Sequence, residues 1–269
     1  MRHRAFTLTE LLVVITILAL LMTLSLSVLS GVRQRARTVA CGANIRQLGL
    51  GLRQYDDVYQ TFPHGFDFKG GCKAPGGWMG DARYELPGWW WYHFTGVVSE
   101  RSQEMVKLLQ CPSSRLDDPM LDRDPLCGKY GVNRALCKGS PDWARSLYKK
   151  DFVGRPLSLD DLGRPGSTLL VADSGYSLIC WWNATAEPPV TFNEEHYIED
   201  TSYVPGLAIN KDKYLRPGQT ADAIGGRHPN KTVNVGFADG HAELKPAGEL
   251  LVEKAPDGQY TNTLLWQGR

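Results

Sequence analysis

From Leu11 to Val32 the chain runs for 22 residues without a charged side chain, and carrying the run back to Phe6 admits one charge, Glu10. A bilayer core demands roughly 20 apolar residues of a helix, so this segment reads as a membrane-crossing helix. Ahead of it stands a short basic stretch, Met1-Arg2-His3-Arg4-Ala5. Secretory signal peptides share that layout, but their apolar stretch is only ~7–15 residues. The longer run here reads as a retained anchor. A carboxylate inside it costs about 2.5–3.5 kcal/mol at mid-membrane on insertion scales. Glu10 is therefore a functional candidate, unless it sits hydrated at the interface. Charge counting sets Arg2 and Arg4 against Arg33, Arg35 and Arg37, which by itself favours the second flank as the cytoplasmic one.

Beyond Val32 the pattern stays helical, with Val39, Ile45, Leu48, Leu52 and Tyr55 recurring near 3.6-residue spacing. No proline occurs before Pro63, and the residue before a proline is pushed toward extended structure. The expectation is one helix from about Thr7 to Tyr59, roughly 80 Å long at ~1.5 Å per residue. Gly42, Gly49 and Gly51 each weaken it by about 1 kcal/mol relative to alanine.

The remainder changes character. Twenty-eight glycines and 16 prolines call for many turns, and 42% hydrophobic residues exclude a disordered chain. A net charge of +1 argues against a nucleic-acid partner. The organisation expected is a leader at 1–5, a transmembrane and stalk helix at 6–60, and a turn-rich α+β head at 61–269. In the head, Val233, Val235 and Phe237 alternate, then Asp239-Gly240, then Ala242 and Leu244. Asp-Gly between alternating runs signals a hairpin with a two-residue turn and positive φ at the glycine, with Val233, Val235 and Phe237 facing the core. A second strand pair is expected at Leu169–Val171 and Leu178–Trp182, joined through Asp173-Ser174-Gly175. Residues 61–125 read as loops with one short helix near Ser102–Leu109.

Candidate sites are few. His228, Asp239 and His241 suggest a metal, yet a straight strand over 232–238 sets His228 about 23 Å from the turn at ~3.3 Å per residue. Asp239 is explained by the turn, and no metal site is expected. Asp117, Asp118, Asp122 and Asp124 carry oxygens suited to calcium, but their spacing fits no EF-hand and a solvated loop is the plainer reading. Trp89-Trp90-Trp91 with Tyr92, Trp78 and Trp181-Trp182 form either core or a binding face. Three consecutive tryptophans on a strand cannot all point inward, so at least one should be partly exposed. GxSxG, HExxH and P-loop signatures are absent, and neither an enzyme nor a cofactor is expected.

The run Ala5-Phe6-Thr7-Leu8-Thr9-Glu10-Leu11-Leu12-Val13-Val14-Ile15 resembles the N-terminal cleavage and methylation motif of type IV prepilins and type II secretion pseudopilins. Ala5 stands where the family usually has glycine, and Thr9 where an apolar residue is usual. The resemblance implies a prepilin peptidase cutting between Ala5 and Phe6 on the cytoplasmic side and methylating the Phe6 amine. It implies Glu10 as the residue that meets a neighbouring subunit's amine during assembly. Ala36–Gly49, Tyr55–Pro63, Gln110-Cys111-Pro112-Ser113, Tyr130–Asn133 and Ser167–Ser174 are similar to a bacterial prepilin-like family whose C-terminal signature is His, nine residues, then Asp-Gly. Here ten residues separate His228 from Asp239-Gly240.

Several expectations follow from that resemblance. The chain is a single-pass inner-membrane protein with its head outside the cytoplasm, and it assembles with like or related subunits through the N-terminal helix. Calcium, which major pseudopilins carry in the head, joins the candidates for the acidic loop. An oxidising surrounding implies that at least two of Cys72, Cys111, Cys127, Cys137 and Cys180 are bridged. The competing readings are a membrane-tethered glycan- or ligand-binding protein with an aromatic head and a tethered hydrolase.

Overall fold

Thr7 begins the first helix. Its hydroxyl accepts the Glu10 backbone N–H at 3.2 Å while the Glu10 carboxylate accepts the Thr7 N–H at 2.9 Å, a reciprocal capping box. From there α1 runs unbroken over Leu8–Tyr59, 52 residues and about 78 Å at ~1.5 Å per residue. It stops where Gln60 turns left-handed at φ 56° and sends its N–H back to the Asp56 carbonyl. The computed structural model describes residues 7–67, 89–91, 107–119, 127–139, 152–188 and 202–268.

The two halves of α1 meet different surroundings. Large apolar side chains from Leu8 to Met22 are 45–82% exposed. Further along, Thr38, Cys41, Ile45, Leu48, Leu52 and Asp56 are all buried, in three- and four-residue steps along one stripe. Val39, read from the sequence as part of that stripe, is 72% exposed. The inward face is one step either side of it. Among the described residues no helix is long and apolar enough to cross a membrane; the described side chains of the apolar run stop at Thr23 and resume at Leu29.

The stripe packs on a five-stranded sheet of order β3-β1-β2-β4-β5. The strands are β1 Tyr130–Asn133, β2 Leu169–Asp173, β3 Leu178–Ile179, β4 Thr232–Phe237 and β5 Ala242–Pro246. All neighbours are antiparallel except β1 and β3, which run parallel. The fold is thus α+β, a long helix on a mixed sheet. The expected β2–β3 pairing does not occur: β1 sits between them, aligning Val132 with Val171 on one side and Leu178 on the other. Two short α-helices, α2 at Thr220–Gly225 and α3 at Thr263–Gln267, and several 3-10 turns also lie among the described residues.

The β4–β5 hairpin forms at Asp239-Gly240, but its loop is longer than the two residues expected. Phe237 N–H bonds the His241 carbonyl and Gly240 N–H bonds the Phe237 carbonyl at 3.0 Å, leaving three residues between. Gly240 has φ 95°, the position of a bulge glycine in a three-residue loop. Val233, Val235 and Phe237 are buried. The other face of β4 lies under the helix, where Gly42 stands against Asn234 and Ile45 against Gly236.

Trp89, Trp90 and Trp91 are all buried, contrary to the strand-based expectation that one is exposed. Trp89 makes a single bridge to Phe66, and Trp90 and Trp91 lie in a helical turn. The alternation that would expose a side chain therefore does not apply. Trp89 stacks on Trp91 with centroids 5.3 Å apart, and the Trp90 indole N–H donates to the Ser177 carbonyl at 3.0 Å. Trp181 and Trp182 are buried too, so these five are core rather than a binding face. Trp78 and Tyr92 lie outside the described residues, as does the short helix expected near 102–109 apart from its last turn at 107–109.

Candidate functional site

Where the buried stripe of α1 meets the sheet, the core is polar. Asp173 ends β2 fully buried, and its Oδ2 accepts the Asn234 backbone N–H at 2.6 Å. The same oxygen lies 3.0 Å from Nε2 of His228. On the other side of the ring, Nδ1 lies 3.1 Å from Thr38 Oγ1. That hydroxyl already donates to the Gln34 carbonyl at 3.0 Å, so it accepts from the ring. An acceptor thus stands at each imidazole nitrogen, which favours the doubly protonated ring, and the Asn234 amide nitrogen also lies 2.9 Å from Nε2. Burial alone would lower the His228 pKa, but the bond to Asp173 and the neighbouring Cys41 outweigh it and raise it to about 9. Burial likewise works against the Asp173 charge, while His228, Arg227 and the Asn234 N–H together hold its carboxyl below the ordinary value.

Arg227 supplies the second buried cation. Its Nε and Nη2 grip the two Asp222 oxygens at 3.0 and 2.6 Å, the paired geometry in which guanidinium and carboxylate bind best. The remaining donors reach the Lys129 and Ser174 carbonyls at 2.5 and 3.0 Å, and Nη1 stands 3.6 Å from Asp173. Tyr203 donates to Asp222 at 3.0 Å. Two buried cations therefore face two buried carboxylates.

Two cysteines close it toward the helix. Cys41, on the inward stripe of α1, and Cys111, in the loop after residue 110, are buried with sulfurs 2.7 Å apart. A ligand atom of His228 lies within 4.8 Å of both. The contact with Cys111 is the largest influence on Cys41, followed by burial acting the other way and by His228; together they draw its thiol down to about 5. Burial pushes Cys111 upward. Nearby, the Asn44 amide donates to the Gln110 carbonyl at 3.0 Å and to the Tyr130 hydroxyl at 3.2 Å, tying the loop, helix and β1 together.

Of the residues singled out from the sequence, His228 and Cys111 meet in this junction, while the others lie elsewhere. Ala5 and Phe6 lie outside the described residues. Glu10 sits in the exposed first turn of α1, engaged with Thr7. Asp239 and Gly240 form the hairpin tip, where the Asp239 carboxylate takes the His241 N–H at 3.1 Å and the His241 ring Nδ1 at 2.5 Å. His228 has no part in that cluster. Its partners come from α1, β2 and β4. Among the described residues the expected bridging is not present: no disulfide joins Cys111, Cys127, Cys137 or Cys180, and all four are buried; Cys72 lies outside the described residues. Cys41, which the expectation left out, is the cysteine that meets Cys111. Its signal in the sequence was its place three residues after Thr38 and four before Ile45. Asp117 and Asp118 are described, whereas Asp122 and Asp124 are not.

Residues 1–26 match the family described as prokaryotic N-terminal methylation motif. Residues 30–93 match a second family, described as protein of unknown function (DUF1559). No curated protein and no solved structure matches the chain. The N-terminus thus carries a prepilin-type methylation motif, and both matches are consistent with a protein of the type II secretion or pilin kind.

Proposed function

We propose that the chain is a pseudopilin-like structural protein of a type II secretion or type IV pilus-like system. In this reading a prepilin peptidase cuts between Ala5 and Phe6 and methylates the new terminus. The apolar half of α1 then holds the protein in the inner membrane, N-terminus cytoplasmic and head in the periplasm or beyond. Like or related subunits associate through that half, and the head has a structural rather than a catalytic role.

The observation that carries the proposal is the division of α1. One continuous helix begins in the methylation motif, presents apolar side chains outward as far as Met22, and is built into the head from Thr38 onward. With Thr7 as N-cap, cleavage before Phe6 leaves two residues ahead of the helix. The new amine then lies close to the helix start, where Glu10 already favours the dipole. Between chains, the amine of one subunit neutralises Glu10 of the next and removes an unpaired charge from a low-dielectric setting.

N-terminal sequencing of the membrane-extracted protein should return methylated Phe6. Glu10→Leu and Glu10→Asp variants are to be followed separately for processing, insertion and incorporation into assemblies. Glu10→Leu should insert and fail to incorporate. Normal incorporation of that variant, or a different mature terminus, would refute the reading.

A further inference from the structure

We propose that Cys41 and Cys111 form a disulfide that ties the stalk helix to the head, with His228 placed beside the pair to promote its closure. Their sulfurs are 2.7 Å apart, both side chains are buried, and 70 residues of chain separate them. A shared metal does not fit this spacing. Two thiolates on one tetrahedral zinc, with Zn–S ~2.3 Å, keep their sulfurs about 3.8 Å apart. A disulfide holds them at ~2.0 Å, so the pair lies nearer the bonded distance. His228 would also have to give up its contact with Thr38 or with Asp173 and Asn234 to ligate a metal, because these occupy Nδ1 and Nε2.

The surrounding groups favour the chemistry of exchange. The attacking species is a thiolate, which a nearby imidazolium stabilises. His228 provides that charge within 4.8 Å of Cys41, and Asp173 balances it both before and after the sulfur charge is lost. An external disulfide, of the glutathione or protein-dithiol class, first exchanges with Cys111 before the 107–114 segment closes on α1. That step gives a mixed disulfide at Cys111 and releases one thiol. The Cys41 thiolate then attacks Cys111 Sγ. The Cys41–Cys111 bond forms, the mixed bond breaks, and its electron pair leaves on the second external thiolate, which takes a proton from water. Two cysteine thiols are oxidised and one external disulfide is reduced to two thiols.

The pair is tested on the purified full-length chain in detergent, apart from any question of cellular location. The protein is reduced, equilibrated with oxidised glutathione, acid-quenched, denatured, alkylated and digested. A peptide joining Cys41 to Cys111 is expected, and Cys41→Ser should leave Cys111 joined to no other cysteine, recovered alkylated or as its glutathione mixed disulfide. His228→Asn should slow closure by about tenfold or more while reaching the same bridged fraction. Recovering both cysteines alkylated, or Cys111 joined elsewhere, would overturn the bridge. So would tight cobalt(II) binding by the reduced chain with thiolate charge-transfer absorption. An unchanged closure rate in His228→Asn would overturn the part given to the histidine.

Discussion

Arg53 of α1 donates from Nη1 to the Asp239 backbone carbonyl at 2.7 Å, so the stalk helix holds the tip of the β4–β5 hairpin. The tip also needs its glycine. Gly240 sits at φ 95°, and a Cβ there would lie 3.2 Å from Leu50 of the helix. Left-handed backbone costs other residues about 1–2 kcal/mol. Gly240→Ala should therefore lower unfolding stability by at least that much in a urea titration. Gly248→Ala, with nothing within 4 Å and no positive φ, is the control and should change little.

Two glycines of α1 should respond in opposite senses. A Cβ on Gly42 would fall 2.9 Å from Asn234 Oδ1, and Asn234 is fixed by Asp173 and His228. Overpacking of this kind costs about 1–3 kcal/mol, more than the ~1 kcal/mol of helix propensity that alanine returns. Gly42→Ala should destabilise. Gly49 has nothing within 4 Å, so Gly49→Ala should stabilise by about 0.5–1 kcal/mol. Equal effects at the two sites would contradict the close approach of α1 to β4.

The Arg227–Asp222 pair lies wholly inside the protein. Removing one partner of a buried ion pair leaves an uncompensated charge, at a cost of about 3–5 kcal/mol. Asp222→Ala should show a loss of that size by chemical denaturation. Tyr203→Phe, which deletes one bond to the same carboxylate, should lose only about 1.5–3 kcal/mol.

Stability should depend on pH differently in the reduced and bridged chains. His228 moves from 6.5 to about 9 on folding. Its contribution is complete below 6.5 and is lost as pH rises toward 9. Cys41 moves from 9.0 to about 5, so its contribution is complete above 9.0 and is lost as pH falls toward 5. Between 6.5 and 9 the two slopes oppose each other, and the reduced chain should be nearly flat. Bridging removes Cys41 from the titration, and the oxidised chain should lose stability with rising pH over the part of that window that Asp173 alone sustains. The groups facing the ring are Thr38 and Cys41 from α1, Asp173 from β2, Asn234 from β4 and Cys111, with Arg227 and Tyr130 behind them. Unfolding midpoints measured from pH 6 to 9 with and without reductant decide the matter. A decline confined to the reduced chain would be the wrong sign.

Local signals were legible in the sequence and distant ones were not. The absence of proline before Pro63 located the end of α1 near Tyr59, and Asp-Gly located the hairpin. Both depend on neighbouring residues only. The place of β1 between β2 and β3 rests on a register between residues 132, 171 and 178, which no short pattern encodes. Trp89–Trp91 were misjudged because a strand was assumed where the backbone turns. The polar junction joins Thr38, Cys41, Cys111, Asp173 and His228 through tertiary folding alone. Only the three- and four-residue steps of Thr38, Cys41 and Ile45 hinted that Cys41 points inward.

The single helix that extends from the exposed apolar run into the core sets how the molecule bears load. A pull along the N-terminal half of α1 acts parallel to the buried stripe from Thr38 to Asp56, which lies across the sheet rather than at a detachable end. Sliding the helix would have to break the Thr38, Asn44 and Arg53 attachments together. The stalk and head therefore resist tension in shear, the geometry in which many modest contacts share the force at once.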